Sequence, residues 1–222
     1  MTVTLAFDVY GTMIDTSGVV TALEEMVGEQ ANTLSDMWRN KQLEYSFRRG
    51  LMQNYRDFSV CTRQALDYVC RVLAVEISSD DKKRLMQTYK VLQPFPDVAE
   101  GLSRLKAAGH RLFAFSNGLA SDVRSLLINA KIDGYLMDIV STDEVMSFKP
   151  NPSVYAHFLR RSGAAGSEAW MISGNPFDVI GAVSSGMSAA WVKRTPSAVF
   201  DPWELEPTIT VTGILELHEA LS

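Results

Sequence analysis

The spacing of hydrophobic residues changes partway along the chain. After a short apolar segment at 3–8, apolar residues recur every three or four positions over residues 15–92, which predicts a succession of helices. The sequence Pro-Phe-Pro at 94–96 ends this block, and short continuous apolar runs then alternate with helical patterns. This alternation predicts βαβ units and a parallel sheet that is covered by helices on both faces.

The ends of the predicted elements follow from the apolar runs and from residues that cap helices. Ser35 and Ser121 are expected to cap helices, and Ser79 to open the last helix before the break. Strands are predicted at 3–8, 111–115, 138–141, 170–173 and 189–192. We therefore predict a doubly wound α/β core formed by residues 1–14 and 93–222, with an all-helical cap domain at 15–92 inserted after the first strand.

Composition narrows the class of protein. The 222 residues are 46% hydrophobic and 21% charged, enough apolar material for a sizeable core, which excludes a disordered chain. A formal net charge of −5 argues against a surface for nucleic acid or anionic membranes. No apolar run is long enough to span a bilayer and no basic segment precedes the first one, so we expect a cytoplasmic protein without a signal peptide. Cys61 and Cys70 fit the apolar face of a helix and are expected to be buried thiols.

Polar side chains are concentrated where the predicted strands end. In an open parallel sheet the carboxyl ends of the strands lie along one edge, where ligands bind. Asp8 ends the first strand, Lys149 lies in the segment after the third, and Asp178 closely follows the fourth. The remaining strand-end residues carry hydroxyl or amide groups: Tyr10, Thr12, Ser116, Asn117, Ser173 and Asn175. This convergence predicts one shared active site.

The chemistry of this set centres on one carboxylate and one lysine. The histidines, at 110, 157 and 218, fit surface or packing positions, so Asp8 has no histidine base in any motif. A carboxylate needs no deprotonation at neutral pH and can itself act as a covalent nucleophile. Lys149 would keep Asp8 ionised and favour an anionic substrate. A structural ion pair between the two residues is the alternative interpretation.

Four motifs resemble, in order and in spacing, those of the haloacid dehalogenase superfamily. They read FDVYGTMID at 7–15, FSNG at 115–118, KPNPSVY at 149–155 and SGNPFDVIGA at 173–182. The segment at 38–58 is similar, more narrowly, to the cap of the L-2-haloacid dehalogenases. The resemblance covers nearly the whole chain and implies a Rossmann-like haloacid dehalogenase core with an inserted helical cap.

This resemblance implies hydrolytic dehalogenation of small (S)-2-haloacids. In that reaction the carboxylate of Asp8 displaces halide from Cα and forms an ester, which water then hydrolyses. The displacement inverts Cα, so the product is an (R)-2-hydroxyacid. The implied partners are the haloacid and water, with no cofactor, metal, nucleic acid or membrane. A homodimer through the cap helices is also implied by the resemblance, although their apolar faces could equally pack internally.

The resemblance also carries roles over to individual residues. Arg39 would bind the departing halide together with Asn117 and Phe177, and Asp178 would either activate water or anchor Lys149. The implied catalytic set is Asp8, Thr12, Arg39, Lys149, Ser173, Asn175 and Asp178. The implied substrate-binding and halide-binding set is Tyr10, Leu43, Phe58, Ser116, Asn117, Tyr155 and Phe177.

Two positions separate this activity from that of the phosphatases of the same superfamily. Those enzymes place a second aspartate two residues after the nucleophile, where this chain has Tyr10, and a magnesium ligand where this chain has Asn175. A magnesium-dependent small-molecule phosphatase and a catalytically silent dimeric interaction protein are the alternative hypotheses. Halogen preference and substrate chain length stay open because the pocket motifs depart from the common pattern at Leu119, Gly174, Pro176 and Phe177.

Overall fold

One parallel sheet organises residues 2–221, the part of the chain that the computed structural model describes. Across the sheet the strand order is 3-2-1-4-5-6, and every neighbouring pair is parallel. The first strand is therefore central, and its carboxyl end lies at the switch point where open α/β sheets bind ligands. The strands are β1 (Thr4–Phe7), β2 (Arg111–Ser116), β3 (Asp138–Ser141), β4 (Ala169–Ser173), β5 (Ser188–Val192) and β6 (Ile209–Val211).

The cap lies between β1 and the first helix of the core, and its regular elements are helices. They are α1 (Ser17–Val27), α2 (Ala31–Leu51), α3 (Phe58–Val72) and α4 (Ser79–Thr88). Leu34 and Trp38 of α2 are buried, as are Leu66 and Val69 of α3, because each helix turns its apolar face inward. The indole Nε1 of Trp38 donates to the carbonyl oxygen of Thr62 at 2.7 Å, which ties α2 to α3.

The remaining helices cover the two faces of the sheet. Side chains alternate along β1, so that Leu5 and Phe7 join one apolar cluster and Ala6 joins the other. The first cluster receives side chains from α5, α6 and α9, and the second from α7 and α8. These helices are α5 (Val98–Ala107), α6 (Ala120–Asn129), α7 (Pro152–Ser162), α8 (Pro176–Ser184) and α9 (Ile214–Ala220). None of the helices in residues 2–221 is long and apolar enough to cross a membrane.

The predicted fold class is confirmed: a doubly wound parallel sheet carries an inserted, all-helical cap. Each predicted strand is present, and its ends differ from the prediction by at most one residue. Cys61 and Cys70 are buried free thiols on α3, as expected. The helices α1 to α4 lie within 15–92, but the domain boundaries themselves stay a prediction.

Some local predictions are wrong. Ser35 lies inside α2 and does not cap it, because this helix begins at Ala31 directly from a 3₁₀ turn at Gly28–Gln30. Ser121 is the second residue of α6 and follows a helix start without a side-chain cap. The elements β6 and α9 were not predicted, since three and seven residues are too few to establish a period.

Candidate active site

The carboxylate of Asp8 lies one residue beyond the carboxyl end of β1. Its backbone N–H continues the sheet and donates to the carbonyl oxygen of Ile172 at 2.9 Å. Its Oδ2 accepts hydrogen bonds from Oγ1 of Thr12 at 2.8 Å and from Nδ2 of Asn175 at 2.9 Å. Its Oδ1 lies 3.3 Å from Nζ of Lys149. Donors from three segments of the chain therefore fix the orientation of this nearly buried carboxylate.

The ammonium group of Lys149 lies between two carboxylates. Nζ donates to Oδ2 of Asp178 at 2.8 Å and to the carbonyl oxygen of Phe115 at 2.7 Å, in addition to its contact with Asp8. The side chain is only 1% exposed, so the three acceptors replace the water that a charged group needs. The site thus holds one cation between two acidic groups in a largely dry environment.

Asp178 is the more deeply buried of the two acidic groups in the site. Burial raises the pKa of Asp178 to about 6; the contact with Lys149 opposes this rise, and the charge of Asp8 adds to it. The hydroxyl of Tyr155 donates to Oδ1 of Asp178 at 2.8 Å and also favours the ionised form. Burial raises the pKa of Tyr155 well above its ordinary value, so this hydroxyl keeps its proton. Asp178 can therefore exchange a proton near neutral pH.

The end of β4 is joined to the loop that carries Asp8. The backbone N–H of Gly174 donates to Oγ1 of Thr12 at 2.8 Å, and Oγ of Ser173 accepts from the N–H of Asn175 at 3.1 Å. A Cβ at position 174 would lie 2.5 Å from the carbonyl oxygen of Gly11, a separation that backbone atoms do not tolerate. This chain departs from the common motif at Gly174. The glycine therefore allows the loop after β4 to approach the loop after β1 closely.

The end of β2 carries Ser116 and Asn117. Oδ1 of Asn117 accepts from the backbone N–H of Lys149 at 2.9 Å and from Oγ1 of Thr142 at 3.2 Å. Because Oδ1 faces these two donors, the amide NH₂ of Asn117 points away from Thr142 and from the backbone N–H of Lys149. Oγ of Ser116 accepts from the N–H of Gly118 at 3.1 Å, which leaves its own proton free to be donated.

The cap contributes Arg39, from the middle of α2. Nη2 of Arg39 donates to Oδ1 of Asn175 at 3.2 Å, and Nη1 donates to Oε1 of Gln42 at 3.0 Å. Because Asn175 also donates to Asp8, one amide side chain links the cap arginine to the core carboxylate. The remaining N–H groups of the guanidinium stay available for a ligand.

A cleft of about 580 Å³ lies between cap and core next to these residues. Its wall includes Tyr10, whose ring packs edge-on against Tyr89 with centroids 5.9 Å apart. Burial raises the pKa of Tyr10, so this residue is a neutral wall and not a source of charge. Phe58 lies on the same wall and packs against Phe148 at 6.1 Å.

The structure brings most of the predicted site residues together. Leu43 and Phe177 are half-buried, but neither is among the described residues that line the cleft, and the ring of Phe177 packs on Phe47 at 5.2 Å. The hydrogen bonds given above form a connected set of predicted residues around Asp8: Thr12, Arg39, Asn117, Lys149, Tyr155, Ser173, Asn175 and Asp178.

Several residues that support this set were not predicted. Gln42 and Thr142 bond to Arg39 and Asn117 as described, and Nε and Nη2 of Arg194 donate to the carbonyl oxygen of Thr12 at 3.1 and 2.6 Å. Thr142 directly follows β3 and Arg194 lies two residues after β5, so both stand at strand ends, the signal that marked the other site residues. Gln42 lies inside α2, where no motif singles it out.

The fold and the site define a capped, doubly wound α/β protein with a carboxylate and a buried lysine at the carboxyl edge of its sheet. The family model for haloacid dehalogenase-like hydrolases matches residues 2–186. The chain is 33% identical over 217 residues to an (S)-2-haloacid dehalogenase of Pseudomonas putida, covering 98% of this chain and 95% of that one. It is 34% identical over 207 residues to the haloacetate dehalogenase H-2 of Moraxella sp. strain B, covering 93% and 92%.

A solved structure extends this comparison to three dimensions. The L-2-haloacid dehalogenase from Xanthobacter autotrophicus with chloropropionic acid covalently bound superimposes with a TM-score of 0.92 and 30% identity, covering 100% of this chain and 98% of that one. The chain belongs to the haloacid dehalogenase-like hydrolase family.

Proposed function

We propose that this protein hydrolytically dehalogenates small (S)-2-haloacids to (R)-2-hydroxyacids. The observation that carries the proposal is the carboxylate of Asp8, held by three donors and linked through Asn175 to the cap arginine. The similar enzymes of Pseudomonas and Xanthobacter are named for 2-haloacids, and one holds a covalently bound chloropropionic acid. Both facts favour a covalent intermediate on Asp8.

In the first step an oxygen of Asp8 attacks Cα of the haloacid. Oδ2 already accepts two hydrogen bonds whereas Oδ1 has only the longer contact with Lys149, so Oδ1 is the better placed nucleophile. A carbon–oxygen bond forms as the carbon–halogen bond breaks, and the halide leaves with the bonding electrons. Arg39 and the amide NH₂ of Asn117 stabilise the charge that develops on the halide. Ser116 is the proposed donor to the substrate carboxylate. Phe177 is proposed as the aromatic edge near the halide, a role that requires its ring to turn from Phe47 toward the cleft.

In the second step water attacks the carbonyl carbon of the Asp8 ester. Asp178 accepts a proton from that water, a task suited to a carboxylate with a pKa of about 6. Thr12 and Asn175, which donate to Oδ2, stabilise the negative charge that develops on this oxygen in the tetrahedral intermediate, while Lys149 lies beside Oδ1, the oxygen that leaves. The water oxygen stays in the carboxylate of Asp8, while the original Asp8 oxygen takes the proton back from Asp178 as it leaves and becomes the hydroxyl of the product. The second proton of the water is released when the Asp8 carboxylate re-forms. This route leaves Cα inverted, because only the first step occurs at that carbon.

The cap gives this slow displacement a drier environment. Hydration stabilises a free carboxylate, so an enclosed cleft makes Asp8 a stronger nucleophile. Tyr10 and Phe58 offer apolar surface on the wall of the cleft, and Leu43 is a further candidate on the cap. Asp8 itself is only 9% exposed, which favours a small substrate.

The proposed reaction uses neither a metal nor a cofactor, and the donor set supports this. Both oxygens of Asp8 face hydrogen-bond donors, and Asn175 turns its NH₂ toward Asp8. Tyr10 replaces the second carboxylate that a phosphatase uses. Within residues 2–221 there is no cluster of three or more His, Cys, Asp or Glu side chains that could hold a metal ion. These residues do not fit magnesium, which prefers charged oxygen ligands.

Two further features of the proposal concern the whole molecule. The enzyme is proposed to act in the cytoplasm and to form a homodimer through its cap helices. Tyr68 and Val72, on the outer side of α3, are 40% and 50% exposed and leave apolar surface for a second copy. Sedimentation velocity distinguishes this dimer from a monomer.

Halide release tests the proposed function. The protein is incubated with L-2-chloropropionate and with chloroacetate in the presence of EDTA, and chloride is followed over time. We expect release well above background and formation of D-lactate from the chiral substrate. Absence of chloride would refute the proposal. Turnover of a generic phosphate ester that EDTA abolishes would favour the magnesium-dependent phosphatase instead.

A further inference from the structure

The contacts that hold Arg39 continue along the cap side of the cleft, which Gln42 and Thr62 also line. Gln42 lies one turn further along α2 and is 1% exposed, and Thr62 of α3 is 4% exposed. Nε2 of Gln42 donates to Oγ1 of Thr62 at 2.5 Å, and this hydroxyl donates to the carbonyl oxygen of Phe58 at 2.9 Å. Together with the bond from Arg39 to Gln42, three successive hydrogen bonds join the guanidinium to the backbone of α3.

Each bond in this series fixes the direction of the next one. The hydroxyl of Thr62 has a single proton, which it gives to the carbonyl of Phe58. It must therefore accept from Gln42, so the amide NH₂ of Gln42 faces Thr62 and its Oε1 faces Arg39. The orientation of Arg39 is thus set by the main chain of a neighbouring helix through two buried side chains.

Stability alone does not account for this polar pair. Much of the surrounding contact between α2 and α3 is apolar and includes Leu34, Leu66 and Val69. A buried amide or hydroxyl gains little net free energy even when it is bonded, and it is costly when a partner is missing. An apolar pair would serve packing equally well, whereas only a hydrogen-bonding pair can direct the guanidinium toward Asn175.

We propose that Gln42 and Thr62 are positioning residues for the dehalogenation, which orient Arg39 toward Asn175 and the departing halide. This inference rests on the proposed function. A displaced guanidinium loses its interaction with the transition state, and a misplacement of about 1 Å can lower a rate on the order of 100-fold. Charge develops on the halide as the carbon–halogen bond breaks, and chloride, the poorer leaving group, depends more on stabilisation by Arg39 than bromide does.

Thr62→Val tests the proposal because it removes the hydroxyl and keeps a similar shape. We expect kcat/KM for L-2-chloropropionate to fall about 10- to 100-fold, and Thr62→Ser to restore it to within about threefold. The ratio of kcat/KM for L-2-bromopropionate to that for L-2-chloropropionate should rise in the valine variant. Thr88→Val is the matched control, because the Thr88 hydroxyl donates to the carbonyl of Arg84 one turn earlier but does not contact Arg39.

The outcomes separate this inference from the proposed function. Equal losses for the bromo and chloro acids, or full activity in Thr62→Val, would overturn the positioning role. A wild-type protein that releases no halide contradicts the proposed function instead. In that case a crystal structure of Thr62→Val still decides the inference: a guanidinium that leaves Asn175 supports it, and one that stays in place overturns it.

Discussion

Asp8 in the core and Arg39 in the cap both bond to the side chain of Asn175, but they are held there in different ways. Asp8 directly follows a central strand, and its N–H continues the ladder to Ile172. Its position is set by the register of a parallel sheet. Arg39 lies in the middle of a long helix, and its direction depends on Gln42 and on how the cap lies against the core. The nucleophile is therefore positioned by the register of the sheet, and the arginine by the packing of the cap helices.

Asp8→Asn removes the proposed nucleophile from the core. It has the largest expected effect on the rate of halide release. The amide has nearly the same shape but is a far weaker nucleophile, so halide release should fall by about 10⁴-fold or more. Initial rates of chloride release measure this change. Mass spectrometry of the variant serves as the control, because deamidation to aspartate would restore activity. Substantial turnover by an intact amide would move the nucleophile elsewhere.

Arg39→Lys removes the guanidinium that the cap contributes to the site but keeps a positive charge at this position. An ammonium group is a point charge without the planar fork that reaches Gln42 and Asn175 together. We expect kcat/KM for L-2-chloropropionate to fall about 100- to 1000-fold. Arg48→Lys, on the same helix but on its exposed side, provides the matched control. Similar rates in both variants would show that the guanidinium is not needed at the halide.

Tyr155→Phe removes the hydroxyl that donates to Asp178 in the core. It has the smallest expected effect on activity. The Tyr155 hydroxyl favours ionised Asp178, so its removal raises the pKa of Asp178 above its present value of about 6. If Asp178 must be ionised to accept a proton from water, activity falls as pH drops through that pKa. The acid limb of kcat/KM should then move about one pH unit higher. A limb that stays in place or moves lower contradicts the role given to Asp178.

Tyr135→Phe is a suitable control for this profile. Tyr135 precedes β3 and therefore lies toward the amino end of that strand, away from the carboxyl edge of the sheet. Its pH profile should match that of the wild type.

The same contrast explains what could be predicted from the sequence. Asp8, Asn175 and Asp178 follow apolar strand motifs, and parallel strands bring their ends together regardless of the details of packing. Arg39 was identified only by resemblance. Its helix, α2, is polar on most of its surface, so the spacing of its residues does not single out one charged side chain. Gln42 and Thr62 could not be paired at all, because their contact depends on the way α2 packs on α3.

The covalent ester on Asp8 can be tested most directly with a single turnover in H₂¹⁸O, using enzyme in excess over L-2-chloropropionate. The account predicts that ¹⁸O appears in the peptide that contains Asp8 while the first D-lactate released carries ¹⁶O in its hydroxyl. Label in that first hydroxyl, with an unlabelled peptide, would mean that water attacks Cα directly and would contradict the account.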